Sequence, residues 1–180
     1  VARLLHAADC VIGEAGYESA TMCAIAERAG SSVGSLYQFF PNKEAVVDAL
    51  RAQYAEEYAK FWRHLTPQAP ALTSEQLAAR LIQFPLKFAA HHPAFLALLD
   101  IQTAHSPRRR QMIHDRIAAV LRARQPKLQE VKAQRIAAVV HQMLKALLTL
   151  YARTGPRERA AVVGEFKTVL SSYLEARLSE

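Results

Sequence analysis

Apolar residues return at helical spacing along almost the whole chain, and nowhere does an apolar/polar alternation run between turn residues. That pattern leaves no place for a sheet and makes the expected fold class all-α. Glycine, proline and capping residues then cut the pattern into segments. Leu4, Leu5, Ala8, Val11, Ile12 and Ala15 form the stripe of a first helix that Gly16 ends. A second, short helix opens at Thr21 and runs to Ala29, before Gly30. A third, capped by Ser31 or Ser32, reaches Phe40 and stops at Pro41. Asn42 caps a fourth that continues to about Leu65. "TPQAPALTSE" follows as a linker, then a helix near 75–90 that Pro85 should kink. Further helices are expected near 93–104, 107–124, 127–153 and 156–178, with Pro93, Pro107, Pro126 and Pro156 at their starts.

The 180 residues, 51% apolar and 22% charged, suffice for one or two compact domains. Every apolar run is broken well before the roughly 18 residues of a membrane span, and no signal-like segment opens the chain. A soluble, cytoplasmic protein with no membrane partner is expected. Cys10 and Cys23 are too few for a disulfide framework, and the absence of CxxC fits a reducing compartment. Neither a metal nor another cofactor is implied. The formal charge of +7 is unevenly spread: residues 1–48 hold Arg3, Arg28 and Lys43 against six carboxylates, a net −3, which leaves +10 for the rest. Nucleic-acid contacts by the N-terminal segment must therefore come from a few placed groups. The helical pattern already runs at Val1, which leaves room for a preceding basic stretch.

The stretch "IAERAGSSVGSLYQFFPNKEAV" places Gly34 inside the first two turns of the third helix. An interior glycine costs roughly 1 kcal/mol against alanine, so close approach of a partner is the better reason for it. Helix, glycine turn and helix over 21–40 have the size of a helix-turn-helix. Ile25, Ala26, Ala29, Val33, Leu36 and Phe40 supply its inner face, leaving Gly34, Ser35, Tyr37, Gln38 and Phe39 outside. Such a surface suits a major groove, where Gln38 can pair with adenine and Ser35 and Tyr37 can reach phosphate or base edges. Lys43 is a cation in the first turn of a helix, which opposes the macrodipole unless an anion such as phosphate lies there. Thr21 offers a hydroxyl at another helix start.

The run "GYESATMCAIAERAGSSVGSLYQFFPNKEAV" resembles the N-terminal DNA-binding segment of TetR-family transcriptional regulators. Gly16, Tyr17, Thr21, Ile25, Ala26, Ala29, Gly30, Ser32, Gly34, Leu36, Tyr37, Phe40, Lys43 and Glu44 fit that pattern; Cys23, Ser31 and Val33 depart from it. The resemblance implies that Thr21, Tyr37 and Lys43 touch phosphates and that the surface around Val33, Ser35, Gln38 and Phe39 faces bases. It also implies an N-terminal helix-turn-helix domain over 1–48 and a C-terminal helical bundle over 49–180 that binds a small-molecule effector and forms a homodimer.

Two long C-terminal helices fit the dimer, with Val139, Met143, Leu150, Val162, Phe166, Val169, Leu170 and Tyr173 as the expected interface of an intersubunit four-helix bundle. An apolar ligand pocket is expected from Trp62, Phe84, Phe88, Phe95, Leu99, Met112, Met143, Leu147 and Tyr151, with His91, Gln102 and His141 as polar contacts. No HExxH, GxSxG, phosphate loop or E-x-x-H pairing is present, so no enzyme is expected. The reading is a dimeric, ligand-released repressor that sets two third helices into successive major grooves of a near-palindromic double-stranded DNA operator, about 34 Å apart. The alternative is a helical small-molecule- or partner-binding protein whose helix-turn-helix no longer binds DNA; the negative N-terminal segment and the uncharged Val33 favour it.

Overall fold

A computed structural model describes residues 1–179, and every regular element among them is helical. In chain order these are α1 (Ala2–Ser19), α2 (Met22–Arg28), α3 (Val33–Phe39), α4 (Lys43–Gln68), α5 (Ser74–His91), α6 (Ala94–Ala97), α7 (Ser106–Arg124), α8 (Glu130–Arg153) and α9 (Arg159–Leu178), with a 3-10 turn at Ala69–Ala71. The chain divides into two compact units, Val1–Glu57 with Lys87–His105, and Tyr58–Leu86 with Ser106–Glu180. The division falls inside α4 and α5.

In the first unit α1 buries Leu4, Leu5, Ala8, Val11 and Ile12, the stripe that the sequence periodicity marks. Gly16 has φ +79°, so regular helix stops there and Tyr17–Ser19 form one further turn. Each of the next three helices starts on a side-chain cap. The Thr21 hydroxyl accepts the Ala24 N–H at 3.1 Å, Ser32 accepts that of Ser35 at 3.1 Å, and Asn42 accepts that of Ala45 at 2.8 Å. Gly30, at φ +61°, makes the turn between α2 and α3.

The segment after α5 is tied to α1. A Cβ on Gly13 would lie 2.2 Å from the Pro93 Cβ, so only glycine lets α1 come this close. The buried Asp9 carboxylate accepts the Ala94 N–H at 2.9 Å and the Tyr54 hydroxyl at 2.7 Å, and His92 Nδ1 lies 3.3 Å away. Burial and the Asp9 charge push the Tyr54 hydroxyl far above its ordinary range. The helix expected over 93–104 is limited to Ala94–Ala97. Arg51 explains its early end: its Nη2 donates to the carbonyls of Leu98 and Ile101 at 2.7 Å each, which are the acceptors a continuing helix would use.

The second unit packs around Trp62, Leu65, Leu77, Leu81, Ile117, Leu121, Ile136, Val140, Leu147, Leu170 and Leu174. The expected linker after Leu65 shrinks to Leu72 and Thr73, because α4 continues through Pro67 and the buried Leu65 and Ala69 draw that turn into the core. α5 runs through Pro85 as one helix. Pro126 and Pro156 lie in turns ahead of α8 and α9, which start three residues later than expected, at Glu130 and Arg159. α7 and α8 run antiparallel, as the contacts Arg122–Glu130, Gln134–Asp115 and His114–His141 show.

Candidate functional site

The first unit exposes one face of α3. Leu36 is fully buried, while Gly34 and Gln38 are exposed and Tyr37 and Phe39 are 49% and 54% exposed. Val33 and Ser35 are half-buried, and the Ser35 hydroxyl lies 2.8 Å from that of Ser32. A Cβ on Gly34 would meet only Ser32 Oγ, at 4.0 Å, and the residue is helical. Nothing in the unit demands glycine there. Thr21 is exposed at the start of α2, its oxygen accepting the Ala24 N–H as the cap while the hydroxyl keeps its own proton to donate.

The cations of this segment are committed internally. Lys43 Nζ donates to the carbonyls of Tyr17, Ala20 and Glu18 at 2.7, 3.0 and 3.2 Å and sits 4.3 Å from the centre of the Tyr17 ring. The negative pole that offsets its position is thus the carbonyl end of α1, where the sequence argument supplied a phosphate. Arg3 donates to the Ala29 carbonyl at 2.6 Å, and Arg28 grips Glu14 through both nitrogens, at 3.0 and 2.5 Å. No local spacing signals these contacts; Lys43 and Tyr17 are 26 residues apart.

In the second unit α8 and α9 carry an apolar outer face. Val139, Leu150 and Val169 are exposed, and Met143, Val162, Phe166 and Tyr173 are half-buried. A shallow depression of about 490 Å³ lies between Val139, Met143 and Phe166, floored by Ala138, Gln142 and Ala146. Leu170 departs from the expected interface: it is 1% exposed and shares the core with Leu174 and Leu178, four and eight residues on.

The expected pocket residues divide between the units. Phe88, His91, Phe95, Leu99 and Gln102 belong to the first; Trp62, Phe84, Met112, Met143, Leu147 and Tyr151 belong to the second. Phe88 stacks on His92 at 4.1 Å and meets Tyr54 and Phe95 edge-on, forming an aromatic cluster. Gln102 turns its amide to the Asp100 carbonyl at 3.3 Å, and His91 Nδ1 lies 2.8 Å from the Lys87 carbonyl. In the second unit Phe84 stacks on Phe61 at 4.0 Å, while Trp62 and Leu147 are buried. Met112 is half exposed, and Tyr151 lies under the Arg159 guanidinium at 4.7 Å. His141, on α8, meets His114 of α7 at 3.1 Å, a pairing that 27 residues of separation hide from the sequence. Among the described residues no helix is long and apolar enough to cross a membrane.

Three capped helices presenting a bare α3, followed by a helical unit with its own core and an apolar α8–α9 face, define a two-part helix-turn-helix regulator. Comparison with known proteins gives the family. Residues 4–50 match the profile of "Bacterial regulatory proteins, tetR family", and residues 73–174 that of "Tetracyclin repressor-like, C-terminal domain". The chain belongs to the tetR family of bacterial regulatory proteins. It is 41% identical over 59 residues to the HTH-type transcriptional repressor KstR of Mycolicibacterium smegmatis, a match covering 32% of this chain and 29% of that protein. The counterpart from Mycobacterium tuberculosis is 39% identical over the same length. The matched segment thus spans under a third of these curated relatives. Fold likeness extends over the whole chain. The regulator FadR of Bacillus subtilis, solved with stearoyl-CoA, aligns over 99% of this chain and 97% of its own with a TM-score of 0.67 at 18% identity. The repressor AlkX of a Dietzia strain aligns over 98% of both chains with a TM-score of 0.63 at 17% identity.

Proposed function

We propose that the chain is a sequence-specific DNA-binding transcriptional regulator that works in the cytoplasm as a homodimer, a repressor released from a near-palindromic operator by a small molecule. The observation that carries this reading is α3: a short helix, capped at its start by Ser32, whose outer face combines Gly34, Tyr37, Gln38 and Phe39 with no structural need for the glycine. Gln38 reads a base edge, Phe39 makes apolar contact, and Gly34, Val33 and Ser35 let the backbone approach. Thr21 and Tyr37 hold phosphates from either side. Lys43, with its donors on carbonyls, contributes positive charge and fixes the start of α4 against α1.

Residues 1–48 carry the DNA contacts and residues 49–180 the effector and dimer functions. Through Asp9 with the Ala94 N–H and Gly13 against Pro93, movement of the α6 segment is transmitted to α1. The α8–α9 face supplies the dimer contact through Val139, Met143, Leu150, Val162, Phe166, Val169 and Tyr173, two copies forming a four-helix bundle. The similarity to KstR, a transcriptional repressor, and to FadR, a transcriptional regulator solved with a ligand, supports this reading.

The test is selection of bound fragments from a random duplex pool, followed by titration of the best fragment with wild type and Gln38→Ala. A near-palindrome should emerge, bound by the variant about 10-fold or more weakly, the value of one bidentate base contact. No enrichment by the intact protein would move the assignment to a helical ligand-binding protein without DNA function. One observation favours that second reading: the three cations of residues 1–48 all have internal partners.

A further inference from the structure

Residues Lys87–His105 belong to the first unit but lie, in sequence, between Tyr58–Leu86 and Ser106–Glu180 of the second. Their polar attachments to α1 and α4 repeat one chemistry, a histidine against a carboxylate. His92 sets both ring nitrogens against carboxylates of other helices, Nδ1 at 3.3 Å from Asp9 Oδ2 on α1 and Nε2 at 3.2 Å from Glu57 Oε1 on α4. His105, at the far end of the stretch, sets Nδ1 at 2.7 Å from Asp48 Oδ2 on α4. The Thr103 hydroxyl donates to the other oxygen of that carboxylate at 2.7 Å, and between the two histidines Arg51 holds the carbonyls of Leu98 and Ile101.

A neutral imidazole has one N–H and one bare nitrogen. In a neutral His92 one of the two contacts is therefore a lone pair turned toward a carboxylate oxygen, whereas the imidazolium donates at both ends. Asp9 is an acceptor on both its oxygens: Oδ1 takes the Tyr54 hydroxyl and the Ala94 N–H, and Oδ2 faces the ring. The ring is held in place, stacked on Phe88 at 4.1 Å and edge-on to Tyr54 at 4.8 Å. A second proton thus turns one repulsive contact into a charge-assisted hydrogen bond, the stronger kind by about twofold. At the other histidine, burial opposes the charge on Asp48, but the Thr103 hydroxyl, His105 and Arg51 outweigh it and hold that carboxyl below its usual range. His105 therefore meets an anion, and a proton on its ring adds charge to a hydrogen bond already in place.

We propose that the attachment of Lys87–His105 to α1 and α4 is a proton-operated clasp: protons on His92 and His105 close it, and their loss as the pH rises loosens it. The titratable and charged groups around His92 are Asp9 on α1 and Arg51, Tyr54 and Glu57 on α4; around His105 they are Asp48 and Arg51 on α4. What the clasp regulates, the seating of the two helices that flank α2 and α3, rests on the reading of the first unit as DNA-binding.

The test is hydrogen exchange on the intact chain from about pH 6 to about pH 9, corrected for the intrinsic acceleration by base, with the histidine ring nitrogen resonances followed in parallel. Protection of the amides over 94–104 should fall about 10-fold or more across that range relative to those of α8. His92 and His105 should lose their second ring proton as it falls. His105→Asn alters a side chain that is 72% exposed, leaves the core untouched, and should lessen the fall several-fold. His92→Gln in addition should lessen it further. Protection over 94–104 that follows α8 at every pH overturns the proposal, and so does a fall undiminished in His105→Asn. No DNA enters the measurement, so a chain that binds no operator keeps the clasp and loses only the reading of what it regulates.

Discussion

The α3 face and the α8–α9 face both leave apolar residues in the open, but they do so for different reasons. On α3 the exposed Tyr37 and Phe39 stand among Gly34, Gln38 and Ser35, on a helix of seven residues held by a hydroxyl cap at its start. On α8 and α9 the exposed Val139, Leu150 and Val169 lie along helices of 24 and 20 residues and border a shallow apolar depression. The first is a mixed surface of donors, rings and bare backbone, suited to a polar polyanion with readable edges. The second is a surface of methyl groups, suited to another copy of itself. Exposure alone therefore says little about a partner; the chemistry interspersed with it decides.

The largest expected effect separates the two sides of α9. Leu170→Ala should cost about 2–5 kcal/mol of unfolding free energy, the range for truncating a buried leucine. Val169→Ala, one residue away and 52% exposed, should change the stability of the dissociated chain by no more than about 0.5 kcal/mol. Denaturant titration at low protein concentration checks both. Comparable losses for the two would mean that the phase of α9 is wrong and that the outer face is core.

Acid sharpens the comparison between units. His141 is held near 4 in the folded chain, below the ordinary value of about 6.5, so the unfolded chain binds more protons between those limits. Its contribution is complete above about pH 6.5 and is lost as the pH falls toward 4, with a ceiling on the order of 3 kcal/mol. Substitution His141→Leu should flatten stability over that window relative to wild type. An unchanged slope would mean that the ring is solvated.

The outer face itself is tested by Val139→Asp combined with Val169→Asp. Buried carboxylates on both sides of a twofold axis should weaken association by about 100-fold or more, equivalent to about 2.7 kcal/mol. Sedimentation at graded concentrations measures it. A wild-type chain that is already monomeric would remove the four-helix-bundle proposal.

How much of this was legible follows the range of the interactions. Caps and turns are local, so Thr21, Gly30, Ser32 and Asn42 announced α2, α3 and the start of α4 to within a residue. Helix existence in the second unit was equally plain from the apolar period. What the sequence hid was long-range satisfaction of polar groups. Arg51 ends α6 from 47 residues away, and Lys43 finds its anion equivalent in carbonyls 23 to 26 residues back. Leu170 failed for a subtler reason. On a helix apolar over a wide arc, periodicity gives the existence of a face but not which edge of it points inward, and Val169 and Leu170 are 100° apart. The expected pocket residues fall in both units, Phe84 in one and Phe88, four residues on, in the other, a division that sequence proximity does not signal.

The smallest effect is the most discriminating for α3, because stability and binding should move in opposite directions. Gly34→Ala places a Cβ where only Ser32 Oγ lies within 4.0 Å, on a residue already helical, so the folded chain accepts it without strain. Alanine removes unfolded-state freedom and favours the helix, which should stabilise the first unit by up to about 1 kcal/mol. The same methyl occupies the space through which the backbone nears the operator, and operator affinity should fall while the melting temperature rises. Had glycine been retained for the fold, the variant would be less stable and its binding loss would follow from that alone. A variant that is both more stable and fully competent on the operator would show that Gly34 answers to neither fold nor partner, and would move close approach to Val33 or Ser35.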